Sequence, residues 1–181
     1  RNLYRISSED SQVSFTLQED LRGNRIDVVG TTNEVAGDIV IDMANPAASQ
    51  IGTIRINART LETDNGNRNR AIRARILQSA QDEYEFIEFV PTAVDGLPES
   101  IEMGETYTFD VTGDLTIAGV TNETTFTVEA TLQSADQLTG TASAVVLWSD
   151  WNISIPSAPG VANISEDVTL VIDFVADVVN E

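Results

Sequence analysis

The run Thr106-Tyr107-Thr108-Phe109-Asp110-Val111-Thr112-Gly113-Asp114-Leu115-Thr116-Ile117, the turn-like Ala118-Gly119-Val120-Thr121-Asn122 and a second run to Gln133 decide the fold of this chain. In the first run Tyr107, Phe109, Val111, Leu115 and Ile117 share one face, and Thr106, Thr108, Asp110, Thr112, Asp114 and Thr116 share the other. The second run repeats the pattern, with Phe126, Val128, Ala130 and Leu132 against Thr125, Thr127, Glu129, Thr131 and Gln133. Period two, held over neighbouring runs, predicts antiparallel strands with one wet face and one dry face over an apolar interior.

Working outward, Val13 to Leu17 alternates and Glu19 to Gly23 reads as a turn. Ile26 to Val29 and Val35 to Met43 follow as strands. Gly30-Thr31-Thr32-Asn33 between them is either a hairpin turn or a bulge in one long bent strand. Ile54, Ile56 and Ala58 alternate with Arg55, Asn57 and Arg59, which sets those two arginines toward water. Between Asp64 and Ala80 the period changes. Ile72 and Ile76 recur four apart among Ala71, Arg73, Ala74 and Arg75, which predicts one helix, capped by Asp64 or Asn65.

Phe86 to Val90 reads as a strand, with Pro91 and Leu97-Pro98 marking loop or edge. Gly140 to Ser149 supplies another strand, Trp148 to Asn152 bends out of it, and Ile155 to Gly160 is a loop. Val168, Leu170, Ile172, Phe174, Ala176 and Val178 close the chain with strong alternation. About eight strands, one helix and no low-complexity linker predict an all-β fold. The expectation is a single domain over residues 1–181, a closed eight-stranded antiparallel barrel, with a β-sandwich as the rival.

Composition narrows the chemistry. The 181 residues contain no cysteine and no histidine, and all ten basic residues are arginine. A Ser-His-Asp triad, a cysteine nucleophile, a lysine Schiff base, a Walker loop, histidine- or cysteine-bound zinc, haem ligation and iron–sulfur clusters all lack their essential group. Carboxylate chemistry survives, so the expectation is a protein that is not an enzyme, with no metal and no required cofactor. The formal charge is -19, and every arginine lies at or before Arg75. Such a field repels phosphate backbones and anionic bilayers, so nucleic acid is not an expected partner. No apolar run approaches the length of a membrane span. The chain starts at Arg1 rather than Met, which reads as a removed export signal or a trimmed start.

Gly113-Asp114-Leu115-Thr116-Ile117-Ala118-Gly119-Val120-Thr121 resembles the central motif of the YceI-like family of lipocalin-like, polyisoprenoid-binding β-barrels. Val13-Ser14-Phe15 is similar to the first strand of that family, and Gly37 to Asp42 to its glycine-to-aspartate strand. Asn57 to Asn65 with Arg70 is similar to its strand leading into the helix, and Ser149 to Ile153 to its serine-aspartate-aromatic turn. The chain departs from the family at Ala71, at Tyr84-Glu85 and at Trp151-Asn152.

The resemblance implies a lumen that binds or carries a long hydrophobic amphiphile, a polyisoprenoid or isoprenoid quinone. It also implies an extracytoplasmic location, periplasmic or at the cell surface, and a homodimer or larger homo-oligomer. The wall of such a lumen would include Phe15, Ile41, Ile56, Phe109, Val111, Phe126, Val128, Trp148 and Phe174. Small residues on inward faces, Gly37, Ala58, Gly113, Ala130, Gly140, Ala142 and Ala144, either leave space or relieve crowding where the sheet coils. Arg68, Arg70, Arg73 and Arg75 on the helix are candidates for head-group or subunit contact, or for pairing with carboxylates of the same chain. The alternative function is a structural subunit of a surface assembly, its lumen filled by side chains and its arginine helix docked on an acidic face of the next copy.

Overall fold

The computed structural model describes residues 1–180, and places thirteen strands in one sheet. In chain order these are β1 (Asn2–Ile6), β2 (Gln12–Leu21), β3 (Asn24–Thr32), β4 (Val35–Ala36), β5 (Asp38–Ile41), β6 (Gln50–Ile51) and β7 (Ile54–Asn57). After a helical segment come β8 (Phe86–Asp95), β9 (Thr106–Ile117), β10 (Val120–Ser134), β11 (Gln137–Leu147), β12 (Val161–Ala162) and β13 (Asp167–Val178).

The β9–β10 hairpin forms as its alternation predicts. Ala118 (φ 48°) and Gly119 (φ 81°) make a two-residue turn between the paired Ile117 and Val120, the left-handed backbone that a tight hairpin requires. On the wet face, threonine hydroxyls bond across the ladder at 2.7 Å (Thr106–Thr131), 2.8 Å (Thr112–Thr125) and 2.7 Å (Thr116–Thr121). On the dry face Val111 opposes Phe126 and Phe109 opposes Val128, within a core that also holds Leu115, Ile117 and Leu132.

A closed eight-stranded barrel is not what forms. The hydrogen-bonded path runs β4-β7-β8-β9-β10-β11-β13-β1-β5-β6, an open curl of ten strands, with β2, β3 and β12 attached beside it. The cause lies in two places where a strand changes partner. The run predicted as one strand from Val35 to Met43 divides at Gly37, so that β4 pairs with β7 and β5 with β1. A Cβ there would stand 2.5 Å from Ile54 Cδ1, so any larger residue would require the Ile54 side chain to shift. β13 likewise serves two partners, giving Thr169 to Asp173 to β2 and Ala176 to Val178 to β1. Between β3 and β4 the chain simply continues through Asn33 and Glu34. Beyond its ladder with β2, β3 makes one isolated bridge, Thr31 to Glu62.

The helix is shorter than the predicted span of 64–80. It runs as α1 (Gly66–Ala71) into a π-helical turn over Ile72–Ile76, where the Leu77 N–H donates to the Ile72 carbonyl at 2.8 Å. Asn65 caps it by accepting the Arg68 N–H at 3.0 Å. Gln78, at φ 54°, follows the helical turns. Arg59, expected to face water, instead staples the far end. Its guanidinium donates to the carbonyls of Ser79 (2.6 Å) and Ala80 (3.1 Å) and to the Asp82 carboxylate (2.6 Å).

Two aspartates give the fold an acid-sensitive component. The Arg5 guanidinium, bonded at 2.9 and 3.0 Å, holds Asp38 below the ordinary carboxylate range, and bonds from Asn163 and Arg25 do the same for Asp20. A lowered native-state pKa contributes stability above the unfolded-state value of about 3.9, and that stability is lost as pH falls through the native value. The urea midpoint of the Asp20→Asn/Asp38→Asn variant is therefore expected to fall less steeply below pH ~4 than that of the parent chain. Parallel acid limbs in the two proteins would refute the assignment.

Candidate functional site

Inside the curl the dry faces pack together only in part. They leave two apolar chambers, one of about 620 Å³ and one of about 140 Å³. The larger lies beneath the helical segment, walled by inward residues of β2, β3, β7 to β11 and β13 and by the loop that runs from Ile153 to Ile164. The smaller lies toward the opposite end, between β1, β5 and β6 on one side and β9 to β11 on the other, with Leu97, Pro98 and Ile101 over it. Phe89, Phe126 and Ile172 line both. The two phenylalanine rings meet edge to face, centroids 4.9 Å apart at 75°, and form the partition between the chambers.

Two inward glycines, Gly113 and Gly140, lie where a neighbouring strand's backbone and an aromatic ring both come close. A Cβ on Gly113 would run into the Val90 carbonyl oxygen and stand 2.8 Å from Phe89 Cζ, and one on Gly140 would stand 2.6 Å from both the Glu129 carbonyl oxygen and Phe174 Cζ. Each glycine lets a ring lie against the wall. The ring then takes up part of the space that the missing side chain leaves. Ala130 and Ala142, by contrast, line the small chamber directly.

All nine wall candidates line a chamber. Phe15, Ile56 and Trp148 face the large one, Ile41, Phe109, Val111, Val128 and Phe174 face the small one, and Phe126 faces both. The sequence assigns no face to Phe89, because Phe86, Ile87, Phe89 and Val90 place apolar residues on both sides of the strand around Glu88. The loop residues Ile155, Pro156, Pro159 and Ile164 also line the large chamber. Nothing periodic marks them.

The charged groups gather at one end. The exposed residues that line the large chamber come from the β2–β3 turn, the helical segment and the loop after Trp151, so these three elements frame its opening. Four charged residues line it: Glu19, Arg22, Arg68 and Arg75. Arg68 Nη2 bonds Glu19 Oε1 at 2.9 Å with the two side chains only 19% and 7% exposed, and Arg68 Nη1 bonds Asp64 at 3.1 Å. Next to them, buried Asn69 accepts the Thr63 N–H at 2.7 Å and donates to the Thr63 carbonyl at 3.1 Å, which ties the helix to the segment that leads into it. Of the four helix arginines, Arg68 and Arg75 line the chamber and Arg70 and Arg73 do not. Helical spacing carries that signal, since 68, 72 and 75 share a face. Arg22, at φ 51° in the β2–β3 turn, had none.

The departure at Trp151 is structural. Its ring is buried and its indole N–H donates to the Leu115 carbonyl at 2.9 Å, closing the wall of the large chamber.

Comparison with known proteins places these features. The family profile described as YceI-like domain matches residues 4–176. A UPF0312 protein of Enterobacter sp. (strain 638) is 28% identical over 148 residues, 79% of this chain and 70% of its own length. A UPF0312 protein of Shewanella sp. (strain ANA-3) is 25% identical over 173 residues, 92% of this chain and 85% of its own. Among solved structures, a polyisoprenoid binding domain from Saccharophagus degradans implicated in plant cell wall breakdown superposes with a TM-score of 0.74, at 14% identity, covering 99% of this chain and 100% of that one. Burkholderia cenocepacia BcnA superposes with a TM-score of 0.72, at 18% identity, covering 94% and 98%.

Proposed function

We propose, since this chain belongs to the YceI-like domain family, that it binds and carries a long hydrophobic amphiphile of isoprenoid type, without catalysis, its tail in the large chamber and its head at the opening. One observation carries the reading: an apolar cavity of about 620 Å³ whose charged residues all lie at the end that opens. Hydrocarbon entering such a space leaves water at roughly 0.8 kcal/mol per methylene, so tail length would dominate affinity. An engineered apolar cavity of ~150 Å³ holds one benzene, so the small chamber is the size of one branched five-carbon unit and the large one of about four. The Saccharophagus degradans neighbour, a polyisoprenoid binding domain, is in keeping with a tail of that kind.

The alternative, a structural subunit with a filled lumen, is disfavoured by these cavities, and of the four helix arginines it relies on, Arg68 is already tied to acids of the same chain. The test is native mass spectrometry of the protein purified from its own source, followed by organic extraction. A stoichiometric lipid is expected. An empty monomer, or a ligand-free polymer, would overturn the reading.

A further inference from the structure

We infer that the head group bound at this opening is anionic, a phosphate or carboxylate, and that Arg22 and Arg75 are the residues that hold it. The inference rests on the carrier reading above and adds the chemical class of the ligand.

Acids outnumber bases 29 to 10 in this chain, yet the large chamber is lined by three arginines and one glutamate. That glutamate, Glu19, is taken up by Arg68 in the ion pair of 2.9 Å. Two guanidinium groups remain. Among the described residues the ion pairs engage Arg5, Arg25, Arg55, Arg59 and Arg68, and none engages Arg22 or Arg75. Asp20, the nearest in the chain to Arg22, bonds Arg25 at 3.2 Å and Asn163 at 2.8 Å, and Asp64 bonds Arg68 at 3.1 Å. The small chamber, in contrast, is lined by no charged residue at all.

Both arginines are anchored at the backbone. The Arg22 N–H donates to the Gly160 carbonyl at 2.7 Å, which pins the β2–β3 turn to the loop framing the same opening. Arg75 stands in the π-helical turn, between Ile72 and Ile76, which also line the chamber. Two guanidinium groups beside an apolar cavity can give charge-assisted, bidentate bonds to a phosphate or carboxylate, and only weaker ones to a neutral alcohol or quinone. A chain of charge -19 repels anions over most of its surface, so this opening is where an anionic amphiphile finds a favourable local field.

The test compares probes with one tail and different heads: geranylgeranyl monophosphate, geranylgeraniol and, without a tail, inorganic phosphate. Each displaces an environment-sensitive apolar dye from the intact chain at low salt. The monophosphate is expected to bind about tenfold tighter than the alcohol or better, with the difference shrinking as salt rises. Inorganic phosphate at matched concentration is expected to displace nothing. Arg22→Asn/Arg75→Gln, in which asparagine tolerates the left-handed backbone at position 22, is expected to bring the two tailed probes to within about twofold by weakening the monophosphate alone.

Equal affinities in the parent chain, or a preference that survives the double substitution, would overturn the inference and leave the carrier reading standing. Displacement by inorganic phosphate would also overturn it, by assigning a free-anion site. If neither tailed probe binds, the carrier reading itself falls and takes the inference with it.

Discussion

Arg68→Ala is expected to cost about 3 kcal/mol of folding free energy, the low end for breaking a buried ion pair. The reason is the group it abandons. Glu19, with a side chain 7% exposed, accepts from Arg68 at 2.9 Å and lines the same apolar chamber as Val28 and Leu17. Removing the guanidinium leaves a carboxylate without its charge partner in a poorly hydrated place. Glu19→Met/Arg68→Met is expected to recover most of the loss, because replacing both partners removes the uncompensated charge. Urea denaturation of the three proteins decides it. A loss under about 1 kcal/mol in the single variant would mean that Glu19 is well hydrated, as an exposed pair would be.

Phe89→Ala is expected to destabilise the chain by about 3 to 5 kcal/mol, and to change what the lumen can hold. The Phe89 and Phe126 rings, 4.9 Å apart, separate a space of about 620 Å³ from one of about 140 Å³. In the parent chain, affinity along a series of prenyl alcohols is expected to rise with tail length and level off once the large chamber is full. In Phe89→Ala the plateau is expected about one isoprene unit later, since the small chamber has room for one benzene-sized guest. Phe126→Leu, which keeps more of the packing, serves as the gentler variant. Identical plateaus in all three proteins would show that the rings yield to the tail and divide nothing.

Much of this architecture was legible in the chain. The alternation of β9, β10 and β13 assigned a dry face to each, and all nine wall candidates chosen from such faces line a chamber. Asn65 capped the helix as its side chain and position suggested. The failures have a common cause. The run from Val35 to Met43 alternates throughout, so nothing in its pattern distinguished one strand from two that pair on different sides of Gly37. Arg59 also sat on an alternating run, yet a 3-10 turn at Ala58–Thr60 carries it to the end of the helix. No face was assigned to Phe89 because Phe86, Ile87, Phe89 and Val90 put apolar residues on both sides of the strand around Glu88.

Which side of a strand is dry is a local matter, set by the alternation of side chains along a pleated backbone, and the amino-acid order by itself determined it. The excess of acids, the absence of histidine, cysteine and lysine, and the confinement of arginine to the first 75 residues were determined there too. Whether opposite dry faces touch depends on strand pairing, on how far the sheet curls, and on where rings such as Phe89, Phe126 and Phe174 come to rest. Those are distances between residues far apart in the chain, so only the tertiary structure decided that the interior is two chambers with a partition, and that Arg22 joins Arg75 at the opening.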